Sequence, residues 1–342
     1  MAISFDKRAP IWVTAWLGFM VLLVIAMIVI GGATRLTNSG LSITEWSPIR
    51  GALPPMSSEA WLAEFEKYKQ IPEFEAEHPD MDINGFRFIY FWEWAHRQLG
   101  RIIGLAFAVP FLILAIRKRL PTGRGLVLFS VLVLIGLQGA IGWWMVHSGL
   151  QDGMVSVSQY RLATHLGMAF IILAILLWLF LDSLRDWQRD RGQGVGVMTP
   201  ALLGVVYLQI IAGAFVAGTD SGKTYNTWPL MDGRFVPSGY WFQSPAWRNL
   251  FENSAAIQFN HRMLAYVILI IFTALVVKFR RNIELRAPFV ILGLLLCWQV
   301  ILGIWTLLAV APLNLALLHQ FSSVLVFIAT VWLTHKWKRH GN

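Results

Sequence analysis

The chain has 342 residues, of which 56% are hydrophobic and 14% charged, with a formal net charge of +9. Soluble domains carry about 25% charged residues, so this composition excludes an ordinary water-soluble enzyme. Nucleic-acid binding is excluded as well, because the basic residues sit on short segments between apolar blocks of bilayer-crossing length, about 20 helical residues.

In chain order, the first block is Ile11 to Thr34, which carries no charge. It is too long for a signal-peptide core and lacks a small-residue cleavage site, so it is expected to be retained. A polar stretch follows, mostly acidic from Trp61 to Asp82. Ile102 to Ile116 is the next block, only 15 residues long, preceded by His96, Arg97 and Arg101. Gly125 to Val146, Leu162 to Leu181 and Val197 to Gly218 are of full length. Met263 to Val277 is again 15 residues, preceded by His261 and Arg262. Ala287 to Ala311 and Leu313 to Thr334 close the series. If the His/Arg turns are helical and face the protein interior, both short blocks reach spanning length and the count is eight. The alternative, six helices and two half-spans, leaves unpaired backbone in lipid.

Lys7 and Arg8, Arg117 to Arg119 with Arg124, Arg185, Arg189 and Arg191, Lys278 to Arg286, and Lys336 to Arg339 all fall on alternate connections. That positive-inside pattern predicts cytoplasmic termini and an outer location for residues 35 to 85 and 219 to 254. Cys297 is the single cysteine, so no internal disulfide can form, and there is no CxxCH for covalent heme attachment.

The chain repeats itself. Thr37-Asn38-Ser39-Gly40 matches Thr219-Asp220-Ser221-Gly222, and the same offset of 182 pairs Trp46 with Trp228, Gly51 with Gly233 and Pro55 with Pro237. His96-Arg97 matches His261-Arg262 at 165; Gln138, Gly142 and Trp144 match Gln299, Gly303 and Trp305 at 161; His165 matches His319 at 154. The offset only falls, so the second half has shorter connections. Four crossings return the chain to its starting side, which makes the repeats parallel rather than inverted. The predicted fold is all-α: a polytopic membrane protein of eight transmembrane helices, arranged as two pseudo-twofold-related four-helix bundles at residues 1–191 and 192–342.

His96, His165, His261 and His319 fall on the second and fourth helix of each half, near the outer end. One intramembrane histidine is accounted for by a hydrogen bond across a helix interface. Two facing imidazoles in each half point instead to bis-histidine ligation of heme iron in a four-helix pocket. Zinc or copper would want more converging ligands, usually with cysteine or carboxylate. Two readings stand for Arg97 and Arg262: pairing with heme propionates, or snorkelling to headgroups. Trp143 and Trp144 either line a pocket or belong to the interfacial belt. The TxSG segments read as turns.

The halves differ at one position of interest. Glu93 lies one turn before His96 on the same face, and offset 165 maps it onto Gln258. An ionisable group in a membrane helix is functional by default, which makes the first half the reactive one. The competing reading is an interfacial salt bridge with Arg97 or Arg101.

GGATRLTNSGLSITEW at 31–46, EWAHRQLGR at 93–101, QGAIGWWMV at 138–146, RLATHLGMA at 161–169 and FNHRMLAY at 259–266 together resemble the heme A synthase family over nearly the whole chain. The long first outer segment, with FEKYKQIPEFE at 65–75, looks like the proteobacterial and mitochondrial branch. The cysteine pair of the other branch is absent, so its redox role does not carry over. The resemblance implies a membrane-bound oxidoreductase that oxidises a methyl group of heme O to a formyl group, through an alcohol and a geminal diol, giving heme A for cytochrome oxidase. It implies that His96, His165, His261 and His319 ligate heme iron and that Glu93 is the essential glutamate. It places substrate heme O in the N-terminal half and heme b in the C-terminal half. It further implies a bacterial cytoplasmic (inner) membrane location, an electron acceptor of unspecified identity, and heme O synthase and oxidase assembly factors as partners. Two other classes fit the histidines: a di-heme b-type electron-transfer cytochrome, and a heme transporter or chaperone.

Overall fold

The computed structural model describes residues 9–47, 50–121, 123–184 and 197–340, without the side chains of 50 and 338–340. Lys7, Arg8, Arg185, Arg189 and Arg191 of the positive-inside pattern, and the boundary between 191 and 192, lie outside the described residues. The helices in chain order are α1 (Ile11–Leu36), α2 (Ser58–Tyr68), α3 (Pro72–Glu77), α4 (Ile83–Ile116), α5 (Gly125–Gly149), α6 (Gln159–Ser183), α7 (Met198–Gly218), α8 (Asn249–Glu252), α9 (Ser254–Phe279), α10 (Ile283–Leu308) and α11 (Leu313–His340). Among the described residues, eight are long and apolar enough to cross a membrane: all but α2, α3 and α8. This is a multi-pass membrane protein, and the six-helix alternative falls.

The two short apolar blocks become full spans for the expected reason. Asp82 accepts a hydrogen bond from the Gly85 N–H and starts α4 well before Ile102. Asn253 accepts from the Ala255 N–H and starts α9 before His261. Each cap satisfies a backbone donor that the first helical turn leaves open. The His/Arg turns are therefore helical.

Helix α1 packs against α4 and α6, as α7 packs against α9 and α11. Helix α5 packs on α6, as α10 packs on α11. The halves meet where α6 touches α7 and α1 touches α11. The contact pattern of the first half thus recurs in the second. Between these helices Met20, Phe170, Leu173, Leu202, Val324 and Phe327 are buried in one core, and Phe170 meets Phe327 edge-to-face at 5.0 Å between centroids. Leu105, Leu126, Ile270 and Leu294 are exposed. Such outward apolar faces suit lipid rather than water. At the end of the bundle away from the long connections, buried Asp182 accepts from Arg124 at 3.1 Å and lies 2.9 Å from His335 Nε2, tying α5, α6 and α11. His335 is therefore drawn into the bundle rather than left at its edge.

The polar stretch after α1 holds more structure than hydropathy shows. Helices α2 and α3 lie against the first turns of α4 through Phe65, Tyr68, Phe86, Ile89 and Tyr90, joined by Trp61 and Phe74. This aromatic cap belongs to the first half. Inside it, Glu73 is buried and accepts from the Tyr68 hydroxyl at 3.3 Å; that hydroxyl lies 2.7 Å from His78 Nδ1. Burial, reinforced by the charge of Glu93, pushes the Glu73 carboxyl up to about 8. A carboxyl raised above its unfolded value holds the cap best when protonated. Its contribution is complete below the unfolded value of 4.5 and is lost as pH rises through about 8. Proteolytic nicking of the 58–82 segment in solubilised protein is expected to accelerate between about pH 5 and 8. In Glu73→Gln that pH dependence should flatten; an unchanged profile would exclude Glu73 as its source.

Candidate functional site

The four histidines lie on α4, α6, α9 and α11, in the halves of these helices nearer the long connections. All four are half-buried. Each ring lies against a glycine of the preceding spanning helix. A Cβ built on Gly31 would sit 2.8 Å from His96 Cε1, on Gly142 2.9 Å from His165 Cε1, on Gly213 3.3 Å from His261 Cε1, and on Gly303 3.0 Å from His319 Cε1. Glycine is required here for close approach, not for backbone freedom. The repeat therefore extends to two glycine pairs: Gly31 and Gly213 share offset 182, and Gly142 and Gly303 share offset 161.

One turn before three of these glycines stands a glutamine whose side-chain nitrogen touches the same ring. Gln138 Nε2 is 3.3 Å from His165 Nδ1, Gln209 Nε2 is 3.3 Å from both His261 ring nitrogens, and Gln299 Nε2 is 3.4 Å from His319 Nε2. Gln138 and Gln299 also donate to the backbone carbonyls of His165 and His319, at 3.0 and 3.1 Å. Sequence reading used Gln138 and Gln299 only as register marks and overlooked Gln209. Their spacing to the glycines, one turn on the same face, was the available signal.

The rings of His96 and His165 are 6.4 Å apart between centroids and inclined at 60°. A metal bonded to one nitrogen of each ring at about 2 Å sets the ring centres about 6 Å apart. The pair therefore fits axial ligation from both sides. Among the described residues no three His, Cys, Asp or Glu side chains converge on one point, which disfavours a zinc-type ligand set.

Glu93 is 3% exposed. One carboxylate oxygen accepts from Ser42 Oγ at 2.8 Å and from the Ile43 N–H at 2.7 Å. The other accepts from Arg97 Nη2 at 2.6 Å and Nε at 3.1 Å. Every partner is a donor, so the network is built for the carboxylate. Arg97 also donates to the carbonyls of Ile43 and Glu45, while Arg101 donates to Gln98 and to the Ser47 carbonyl. The second half repeats the plan with opposite polarity. Gln258 Nε2 donates to the Tyr225 carbonyl, and Arg262 donates to the carbonyls of Tyr225 and Thr227. Ile43 and Tyr225 share offset 182, so one backbone presents an N–H where the other presents a C=O. Arg97 and Arg262 thus pin the segments after α1 and α7 to the histidine-bearing helices. Of the readings left open for Glu93, the ion pair with Arg97 is present. It coexists with burial one turn from His96.

Trp143 lies beside this network, its ring 5.0 Å from that of Trp46 and beneath the Arg97 guanidinium at 5.9 Å. Trp144 is exposed and lies under Arg161. The TxSG turns end α1 and α7. Thr37 donates to the Ala33 carbonyl and Thr219 to the Phe215 carbonyl, each at 2.7 Å. Asn38 and Asp220 take left-handed backbone at φ 48° and 51°, a conformation that Asn and Asp tolerate.

A family model described as cytochrome oxidase assembly protein matches residues 14–331. The chain is 48% identical over 321 residues to a protein named heme A synthase from Maricaulis maris, covering 93% of this chain and 94% of that one. It is 46% identical over 328 residues to the heme A synthase of Paracoccus denitrificans, with 94% and 86% covered. It is 45% identical over 332 residues to that of Hyphomonas neptunium, with 96% and 93% covered.

Proposed function

The chain belongs to the cytochrome oxidase assembly protein family, and from that membership we propose that it acts as a heme A synthase, a membrane-bound oxidoreductase that converts heme O to heme A. Its curated relatives carry that name over nearly their full length. The single observation that carries the assignment to a half is Glu93: a buried carboxylate held only by donors, one turn from His96, with a neutral amide at the equivalent place in the other half. Substrate heme O binds between His96 and His165. Heme b binds between His261 and His319, where it supplies one-electron transfer.

Oxidising a methyl group to a formyl group removes both electrons and protons from that carbon. Glu93 has two roles open to it beside the substrate: accepting a proton, or stabilising positive charge developing at the porphyrin edge. Arg97 and Arg262 shape the outer walls of the two sites by holding loop carbonyls; the charge of Arg97 is taken up by Glu93, whereas Arg262 has only neutral partners and its charge favours an anionic propionate nearby. Heme O synthase is the expected donor of substrate, and assembly factors of cytochrome oxidase the expected recipients of product.

The deciding experiment is extraction and chromatography of hemes from membranes in which the chain is expressed beside a heme O synthase. Heme A should appear only when both are present. Recovery of unaltered heme O at wild-type protein abundance would instead mark a heme carrier or an electron-transfer cytochrome.

Orientation follows from the basic connections. A reporter fused after Asn342 should read as cytoplasmic, and one inserted near Glu75 as external. The reverse pattern would overturn the placement of both heme sites at the outer face.

A further inference from the structure

The two long connections leave the membrane at different heights. A hydrocarbon core takes about 20 helical residues. On α4, that count from Arg117 toward the long connections reaches Gln98. Phe86 and Tyr90, where α2 and α3 pack, lie about 12–18 Å beyond Gln98 at the helical rise. On α9 the same count from Lys278 reaches Phe259. The connection between α7 and α9 packs on that residue. Phe235 and Tyr240 meet the Phe259 ring edge-to-face, at 5.9 and 5.5 Å between centroids. Tyr240 also donates to Asn260 Oδ1 at 2.8 Å, and Asn253 donates to the carbonyls of Gly239 and Tyr240. The cap of the first half therefore stands clear of the bilayer, whereas the connection of the second half lies at its surface.

Helical periodicity gives the direction in which this connection faces. Phe259, Tyr266 and Ile270 are spaced i, i+7 and i+11, so they share one face of α9. Tyr266 and Ile270 are exposed there, on surface that suits lipid. Phe235 and Tyr240 prolong that stripe, and the Trp241 ring lies 4.7 Å from Tyr240. Phe235, Trp241 and Phe242 are 64, 65 and 70% exposed, an apolar surface that water would penalise. The turn that displays them is ordered, since Asn249 Oδ1 accepts from the Phe242 and Gln243 N–H groups. Charge follows the same division. From Thr224 to Phe251 the charged residues are Asp232, Arg234 and Arg248, and Arg248 is paired with Glu252. From Met56 to Asp82 ten residues are charged.

We propose that the connection between α7 and α9 is a lipid-seated lip, whose Phe235, Trp241 and Phe242 enter the interfacial layer of the leaflet on that side. Lipid is the occupant this surface fits. The surface continues the lipid-facing stripe of α9, bears little charge, and presents aromatic rings of the kind that favour headgroup level. The same connection carries the Tyr225 and Thr227 carbonyls that Arg262 holds. The outer wall of the C-terminal site is therefore anchored in the bilayer, while that of the N-terminal site is roofed by a cap in water.

The test uses purified full-length chain in phosphatidylcholine vesicles, with Cys297→Ala removing the native thiol and a nitroxide spin label on one introduced cysteine. Labelled Phe242→Cys and Phe235→Cys should be relaxed more strongly by dissolved oxygen, which concentrates in lipid, than by a water-soluble nickel chelate. Labelled Glu75→Cys, on the cap, should show the reverse. Nickel relaxation at 235 and 242 as strong as at 75 would overturn the proposal by placing the lip in water. Protection from both reagents would also overturn it, because a second copy of the chain would then cover the surface. Adding Phe235→Ser and Trp241→Ser to labelled Phe242→Cys should shift the ratio toward nickel. An unchanged ratio would assign the depth to the helices alone and remove the aromatic residues as its cause.

Discussion

Replacing Glu93 by Gln is expected to lower heme A output by about 10²- to 10⁴-fold, the range for a positioned acid–base group, while the low-spin heme b proposed for the C-terminal half should persist. Heme O or a hydroxylated intermediate should accumulate in the extracted hemes. The structure adds a structural cost to this substitution. Gln258 is accommodated because the Tyr225 carbonyl faces it, whereas position 93 meets only donors. A glutamine amide at 93 would turn an N–H toward one of them, at a cost of about 1–3 kcal/mol for the unsatisfied group. Ser42→Ala separates the two effects. It removes one donor and loosens the same segment, but keeps the Glu93 carboxyl group and Arg97. Ser42→Ala should therefore retain most heme A output. Equal loss in Ser42→Ala and Glu93→Gln would assign Glu93 to holding the loop and remove it from the chemistry.

His261→Ala and His319→Ala are each expected to abolish the six-coordinate low-spin heme signal of the C-terminal half. Insertion into the membrane should survive, because the eight spans are specified by apolar length rather than by the ligands. Heme A output should fall with the signal, since the electron path proposed through the second half would be lost. Added imidazole should restore part of the low-spin spectrum in the truncated site. Low-spin heme retained in full by either variant would reassign that ligand. The glycine opposite each ring offers a finer probe of the same geometry, because a methyl at Gly303 would lie closer to its imidazole than one at Gly213.

Much of this architecture is legible in the sequence because the membrane makes it so. Lipid forbids unpaired backbone, so apolar length reads directly as helices, and eight spans follow once the His96 and His261 turns are taken as helical. The duplication supplied the histidines by making each one answer to another. Glu93 stood out for the opposite reason: its counterpart is Gln258. What stayed hidden depends on contacts between distant segments. Helices α2 and α3 are short, charged and cap α4 through aromatic packing, so no hydropathy pattern announces them. The polarity reversal between Ile43 N–H and Tyr225 C=O is a property of backbone orientation, which residue types do not encode locally. The spacing of Gln209 to Gly213 hints at a shared face, but its contact with the His261 ring is seen only once α7 and α9 are packed.

Two contacts between the halves are one-sided. Arg35 of α1 donates to Asp220 and to the Ala217 carbonyl, and Gln320 of α11 donates to the Ile28 carbonyl. By the repeat offsets, Arg35 answers to Ala217, Asp220 to Asn38, and Gln320 to Leu166. Two copies of the first half would thus lack both the acid and the amide, and two copies of the second would lack the guanidinium. Cross-half bonds of this kind favour unlike pairing over like. Were the chain produced as two separate polypeptides, one ending near 184 and one beginning near 197, the fragments should assemble as a heterodimer rather than as two homodimers.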